Sequence, residues 1–233
     1  MRQLALQLSA QPEASFANFV PGRNAELLAV LRSLARGQDG ERFVCLWGAP
    51  GSGRSHLLRA VACEAAGAGR RTCNLAAPFA ASALAALDGD AVVAVGAAER
   101  LDDAAQVALF GLYNRIREGS GALVVSAAAA PAALELRADL ATRLAWGLVY
   151  EVHGLSDEEK AQAMRARAAQ CGFALPLEAQ AYVLRHGRRD LPSLLALVDL
   201  IDRHSLAAQR AITVPLVREV LRMTRDEAGG AGD

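Results

Sequence analysis

The chain has 233 residues, 53% of them hydrophobic but only 5% aromatic, and its 25 basic residues balance 25 acidic ones. This length fits one large domain or a core with a small appended one. The charge balance argues against a surface that grips DNA unaided, and no apolar run is long enough to span a membrane. The cysteines Cys45, Cys63, Cys73 and Cys171 lack CxxC spacing and the four histidines form no ligand pattern, so reduced thiols, no metal and a cytoplasmic location are expected.

The N-terminal stretch MRQLALQLSAQPEAS is too short in apolar residues for a secretory signal. Its second half, residues 9–15, reads as a polar tether. Helical spacing of Leu27, Leu28, Val30, Leu31 and Leu34 predicts a helix over 24–36, and FVCLW (43–47) predicts a strand. A glycine loop and a helix over 55–68 follow, then a strand at 71–75 and a short helix over 80–87. AVVAV (91–95) and ALVVS (122–126) are continuous apolar runs, as expected of strands buried on both faces. Asp102 is placed to cap a helix reaching Glu118, and a short helix through Leu140 and Arg143 leads to a strand in GLVYEV (147–152). Alternation of strands with helices predicts an α/β core with a five-stranded, mostly parallel sheet, spanning residues 16–153.

Only helices are predicted beyond His153, over 157–170, 177–186, 190–207 and 214–223. Ser156 and Glu159 form a capping box for the first, and Thr213 with Pro215 marks the start of the last. The expected organisation is a segment 1–15, the α/β core, an all-helical lid over 154–224 and a disordered tail over 225–233.

The loop Gly48-Ala-Pro-Gly51-Ser52-Gly53-Arg54-Ser55-His56 has the length and setting of a phosphate-binding turn. Glycines let the backbone curl so that its N–H groups converge on an anion, and the following helix adds its positive end. Ser55 is placed to offer a hydroxyl to Mg²⁺. Arg54 stands where lysine is usual, keeping the charge but not the compact ammonium. The alternative is a tight strand-to-helix turn with no ligand. Hydrolysis also needs a metal-holding carboxylate and a water-orienting acid after the AVVAV strand. The chain has Gly96, Ala97 and Ala98 there, and Glu99 comes three residues late. Magnesium binding and turnover are therefore not expected.

Taken together, the residues resemble the AAA+ domain of the bacterial initiator DnaA, and most closely the Hda-type DnaA regulatory inactivators. The resemblance rests on Gly51-Ser-Gly-Arg-Ser-His-Leu-Leu58, the segment Phe16–Asn24, LFGLYNRIREGSG (109–121), DLATRLAWGLVYEV (139–152), LSDEEKAQAMRARAAQCGFALP (155–176) and AQRAITVPLVREVL (208–221). It implies an AAA+ P-loop core with a helical lid, and nucleotide contacts from Gly48, Gly51, Ser52, Gly53, Arg54, Ser55, His56 and, from the lid, Arg189. The alternative for Arg189 is a solvated basic cluster with Arg185 and Arg188. The resemblance also makes Gln3, Leu4, Leu6 and Leu8 a sliding-clamp-binding motif, although alternating leucines also suit an edge strand. Arg143 becomes an arginine finger offered in trans, against the alternative of a salt bridge to Asp139.

What the resemblance implies is a cytoplasmic negative regulator of replication initiation without catalysis of its own. It would bind the DNA-loaded sliding clamp and stimulate ATP hydrolysis by DnaA, reaching DNA only through the clamp. Its pocket would take ADP or another nucleoside diphosphate, and the question of a homo-oligomer stays open. The alternatives are an active ATPase of helicase-loader type, with Glu99 as the acid, and a clamp-recruited adaptor for another partner.

Overall fold

The computed structural model describes residues 14–188 and 190–229, with side chains described as far as residue 224. The chain divides between Gly154 and Leu155 into two compact units.

The first unit alternates helix and strand: α1 (Ala25–Arg36), β1 (Phe43–Trp47), α2 (Arg54–Gly67), β2 (Thr72–Ala76), α3 (Ala81–Ala85), β3 (Val92–Gly96), α4 (Asp103–Glu118), β4 (Ala122–Ala127), α5 (Ala138–Trp146) and β5 (Leu148–Glu151). The five strands form one sheet in the order β2-β3-β4-β1-β5. Every pairing is parallel, with Val44 opposite Val124, Val95 opposite Val125 and Trp47 opposite Glu151. Parallel strands need crossover helices, which cover both faces of the sheet. That is why the central strands read as unbroken apolar runs. Successive side chains nonetheless serve different cores. Val44, Leu46, Val92, Ala94 and Val124 pack with Leu31 and Leu57 from α1 and α2. Val93, Val95, Leu123 and Val125 pack with Leu84, Leu109, Leu112 and Leu140 from α3, α4 and α5.

Helix ends are closed by specific groups. The Ala105 N–H donates to Asp102 Oδ1 at 2.7 Å, capping α4. Arg42 donates from Nη1 to the carbonyls of Ile116, Gly119 and Gly121, tying down the end of α4. Arg70 does the same for α1, donating to Leu34 O at 2.7 Å. Burial and the neighbouring Arg42 charge lower the Arg70 pKa.

The second unit is α6 (Asp157–Gln170), α7 (Leu177–His186), α8 (Leu191–Ala208) and α9 (Val214–Gly229). Its core joins Met164, Val183, Leu194, Val198, Ile201, Leu216 and Val220. The capping box forms as the sequence predicts: Glu159 N–H donates to Ser156 Oγ at 3.1 Å and Ser156 N–H to Glu159 Oε2 at 2.7 Å. Helix α8 starts one residue later than expected because Asp190 is its cap, accepting from Ser193 N–H at 3.0 Å. Helix α9 runs past the expected end at 223 to Gly229. No proline or glycine stands between Thr224 and Ala228 to stop it.

Candidate functional site

The glycine loop leaves β1 and enters α2, so it sits where the C-terminal ends of parallel strands face a helix N-terminus. Gly48, Gly51 and Gly53 all take positive φ, at 157°, 79° and 103°. At Gly48 a Cβ would come within 2.6 Å of Val152 O, and at Gly53 within 2.7 Å of Phe19 Cε2. Only glycine lets the loop pass between the end of β5 and the Phe19 ring. Ser52 is buried, and its Oγ has no hydrogen-bond partner among the described residues. An orphaned hydroxyl inside a curl of backbone amides fits a phosphate oxygen, which would satisfy it.

The segment 16–24 lies against this loop. The Phe19 and His56 rings meet at a tilt, their centres 5.5 Å apart, and His56 Nε2 is 2.9 Å from Ser15 O. Thus His56 holds the leading segment rather than reaching out of the loop. Asn24 fixes the other end of the segment. Its amide donates to His153 O at 2.8 Å and to Pro21 O at 3.1 Å, and its Oδ1 accepts from His153 N–H at 2.8 Å. A single buried side chain therefore clasps the leading segment to the residue just after β5.

The tip of the sheet is tied internally. Three consecutive residues at the end of β4 each take a partner from another element. Ser126 Oγ accepts from Ala97 N–H at 3.3 Å. Ala127 O accepts from Arg54 Nη1. Ala128 N–H donates to Glu99 Oε2 at 3.1 Å. The Arg54 guanidinium is thus directed to a backbone carbonyl, and Glu99 is used as an anchor for the β4 tip. Ala97 sits in the left-handed region at φ 59°, ψ 56°. For a residue with a Cβ that costs about 1 kcal/mol, and the Ser126 bond helps hold it. Ser55 is exposed on the first turn of α2, and the tip of β3 offers no carboxylate beside it. The glycine loop and Ser52 fit a phosphate oxygen, and no carboxylate among the described residues at the sheet tip stands beside Ser55 to help hold a magnesium ion.

Arg143 lies on α5. Asp139, one turn back, does not pair with it: Asp139 receives Arg137 at 3.4 Å and the Leu140 N–H at 2.8 Å. Those contacts, the Leu140 amide first, lower the Asp139 pKa. The salt-bridge alternative therefore fails. The Arg143 guanidinium carbon stands 4.1 Å from the centre of the Trp146 ring and 5.8 Å from Phe110 and Tyr113. Its Nη1 is buried without a hydrogen-bond partner among the described residues. The spacing i, i+3 from Arg143 to Trp146 carried this signal in the sequence; Phe110 and Tyr113 arrive from α4, and no local pattern marks them. Gln3, Leu4, Leu6, Leu8 and Arg189 lie outside the described residues.

Among the described residues no helix is long and apolar enough to cross a membrane, and no group of three metal-ligating side chains converges. The fold is similar to domain III of the replication initiation protein DnaA of Thermotoga maritima, with a TM-score of 0.72 and 16% identity over 91% of this chain and 96% of that one. Residues 157–221 match the family model described as Hda, lid domain. The helical unit is thus similar to the lid of Hda proteins, and the α/β unit has the fold of DnaA domain III. The AMPPCP-bound DnaA of Aquifex aeolicus is similar too, with a TM-score of 0.72 and 17% identity over 92% of this chain and 70% of that one. So is the RuvB Holliday junction branch migration motor of T. maritima, at 0.67 and 16% over 91% and 72%. At these identities the solved structures show the fold alone, and the likeness to Hda proteins is carried by residues 157–221 of the helical unit.

Proposed function

We propose that this chain is a negative regulator of replication initiation that binds the DNA-loaded sliding clamp through Gln3, Leu4, Leu6 and Leu8 and stimulates ATP hydrolysis by DnaA. Arg143 is the finger, offered in trans to the nucleotide of DnaA, and DNA is reached only through the clamp. The observation that carries this reading is the state of Arg143, a guanidinium with no carboxylate partner among the described residues, beside an exposed Trp146. A finger must keep its donors free for charge developing on a phosphate, which is worth about 10³–10⁵ in rate.

The chain's own pocket suits a structural ligand, in keeping with the AMPPCP held by its DnaA neighbour. The loop amides and Ser52 would hold ADP or another nucleoside diphosphate. Arg54 would add charge once released from Ala127, and Arg189 would contribute from the lid. With no carboxylate at Gly96 or Ala97, and Glu99 engaged by Ala128, no acid described at the sheet tip is placed to orient water for hydrolysis.

Reconstitution of clamp-loaded DNA with ATP–DnaA tests the proposal. The wild-type chain should accelerate hydrolysis, and Arg143→Ala should remove the acceleration while keeping its fold. Loss of a cation–π contact of about 0.5–2 kcal/mol is offset by relief of a buried unpaired N–H costing about 1–3 kcal/mol. Stability should therefore fall by no more than about 1 kcal/mol. Replacing Gln3 and Leu6 with alanine should abolish clamp association alone. Full stimulation by Arg143→Ala refutes the finger. Steady ATP turnover by the chain alone would instead make it an ATPase, and clamp binding without any stimulation would make it an adaptor for another partner.

A further inference from the structure

We infer that Trp146 is the positioning residue for Arg143, holding the guanidinium by a π face so that it is oriented without being neutralised. This rests on the proposed role of Arg143. Four aromatic and cationic groups meet on α4 and α5. Phe110 and Tyr113 lie at i, i+3 on α4, and Arg143 and Trp146 at i, i+3 on α5, so each pair shares a helix face. Tyr113 is a fixed wall: it is 4% exposed and packs at 4.2 Å on the Phe43 ring. Helix α5 is fixed at its start, because Arg137 N–H donates to the buried Gln106 of α4 at 2.9 Å. Trp146 is the open wall, 61% exposed and nearest to the guanidinium at 4.1 Å.

The chemistry follows from what a ring can and cannot do. A carboxylate would hold Arg143 as firmly but would consume its N–H donors and its charge. An indole face attracts the cation through its quadrupole and accepts none of the in-plane N–H groups. No hydrogen bond from Arg143 is formed among the described residues, so its donors are kept for the oxygens of a phosphate. The buried Nη1 is the part that must turn outward to reach them. Its lack of a partner favours that turn, because a charged phosphate oxygen supplies the bond that the aromatic site does not. Since Tyr113 is locked into the core and Trp146 is the most exposed of the three rings, the Trp146 side is the open one, and that ring sets the direction of the guanidinium.

Two measurements test this. In the clamp, DNA and ATP–DnaA assay, Trp146→Ala should lower the maximal stimulated rate about tenfold, the equivalent of one good cation–π contact. The concentration of chain giving half the effect should stay unchanged, and Trp146→Phe, which keeps a π face, should restore most of the rate. A raised half-saturating concentration with an intact maximal rate would make Trp146 a docking residue and overturn the inference. So would a Trp146→Ala variant as active as wild type, or one whose loss is accounted for by its unfolded fraction. The stack itself is read in the chain alone, in a Trp47→Phe background that leaves a single tryptophan. Arg143→Ala should shift Trp146 emission and raise its quenching by acrylamide. Unchanged emission and quenching would overturn the stack. If the wild-type chain does not stimulate DnaA, the proposed function fails and the positioning role falls with it, while the fluorescence still reports whether the stack exists.

Discussion

Asn24→Ala should destabilise the α/β unit far more than an ordinary polar-to-alanine change, because one side chain satisfies both backbone groups of His153. Asn24 is 3% exposed, and its amide bonds to His153 N–H and O are both 2.8 Å. Pro21 O keeps a partner in the variant, since Asn24 N–H donates to it at 2.8 Å. Two groups are therefore left unpaired. At about 1–3 kcal/mol for each buried orphan, and with His153 only part-buried, the cost is about 2–4 kcal/mol. Both tryptophans, Trp47 and Trp146, lie in this unit, so tryptophan fluorescence in urea follows its unfolding without the helical unit. Asn24→Asp should also be destabilised near neutral pH: it keeps the acceptor for His153 N–H but sets a carboxylate against His153 O. The carbonyls raise the folded-state pKa of that aspartate above its unfolded value. Its protonated form is therefore the stabilised one, and the deficit shrinks as pH falls and grows as pH rises through the raised pKa. A loss below about 0.5 kcal/mol for Asn24→Ala, or an aspartate variant as stable as wild type at every pH, would refute the clasp.

Gly53→Ala should lose nucleotide binding by calorimetry, because its Cβ would meet Phe19 Cε2 at 2.7 Å at a φ of 103°; removing the clash with Phe19→Ala should not restore it, since the backbone strain remains. Thiol labelling of the native chain at pH 8 should modify Cys63 first, since it is exposed, and spare Cys45, whose pKa burial pushes up to about 12; mass spectrometry showing early Cys45 adducts would contradict the packing of β1.

Most of the fold was legible because short apolar runs between turn residues, alternating with helical patterns, suit strands buried on both faces. The runs at 43–47, 91–95 and 122–126 predict β1, β3 and β4 to within one residue at each end. Helices with a side-chain cap, such as Asp102 and Ser156, were legible for the same local reason. The tertiary use of single polar residues was not. Arg54 invites a phosphate reading in the sequence, yet its partner is a backbone carbonyl 73 positions away, and a carbonyl is identical in every residue type. Asn24 and His153 are joined across 129 positions by main-chain groups with the same anonymity. For Arg143 the local pattern left a second reading open. The i−4 spacing to Asp139 suits an ion pair, but Asp139 turns to the Leu140 amide and to Arg137, and the arginine goes to rings supplied mainly by tertiary packing.

The missing carboxylates are one part of a wider change at the sheet tip. A Cβ on Gly96 would meet Leu58 Cδ1 at 3.4 Å and Ala76 Cα at 3.6 Å, so an added side chain would start in ordinary contact. Its charge would not find a suitable place, because Leu58 is only 2% exposed and belongs to the apolar core beneath α2. A carboxylate there would be desolvated next to methyl groups, a position that favours its neutral form over a metal-binding anion. Glu99 and Arg54 would also have to break their bonds to Ala128 and Ala127 before either could serve a phosphate. On the proposed reading, hydrolysis at this site would need several coupled changes, whereas holding a phosphate group would need only the glycine loop and Ser52. That imbalance supports the proposed reading, in which the site binds without turnover and the arginine on α5 is the group offered elsewhere.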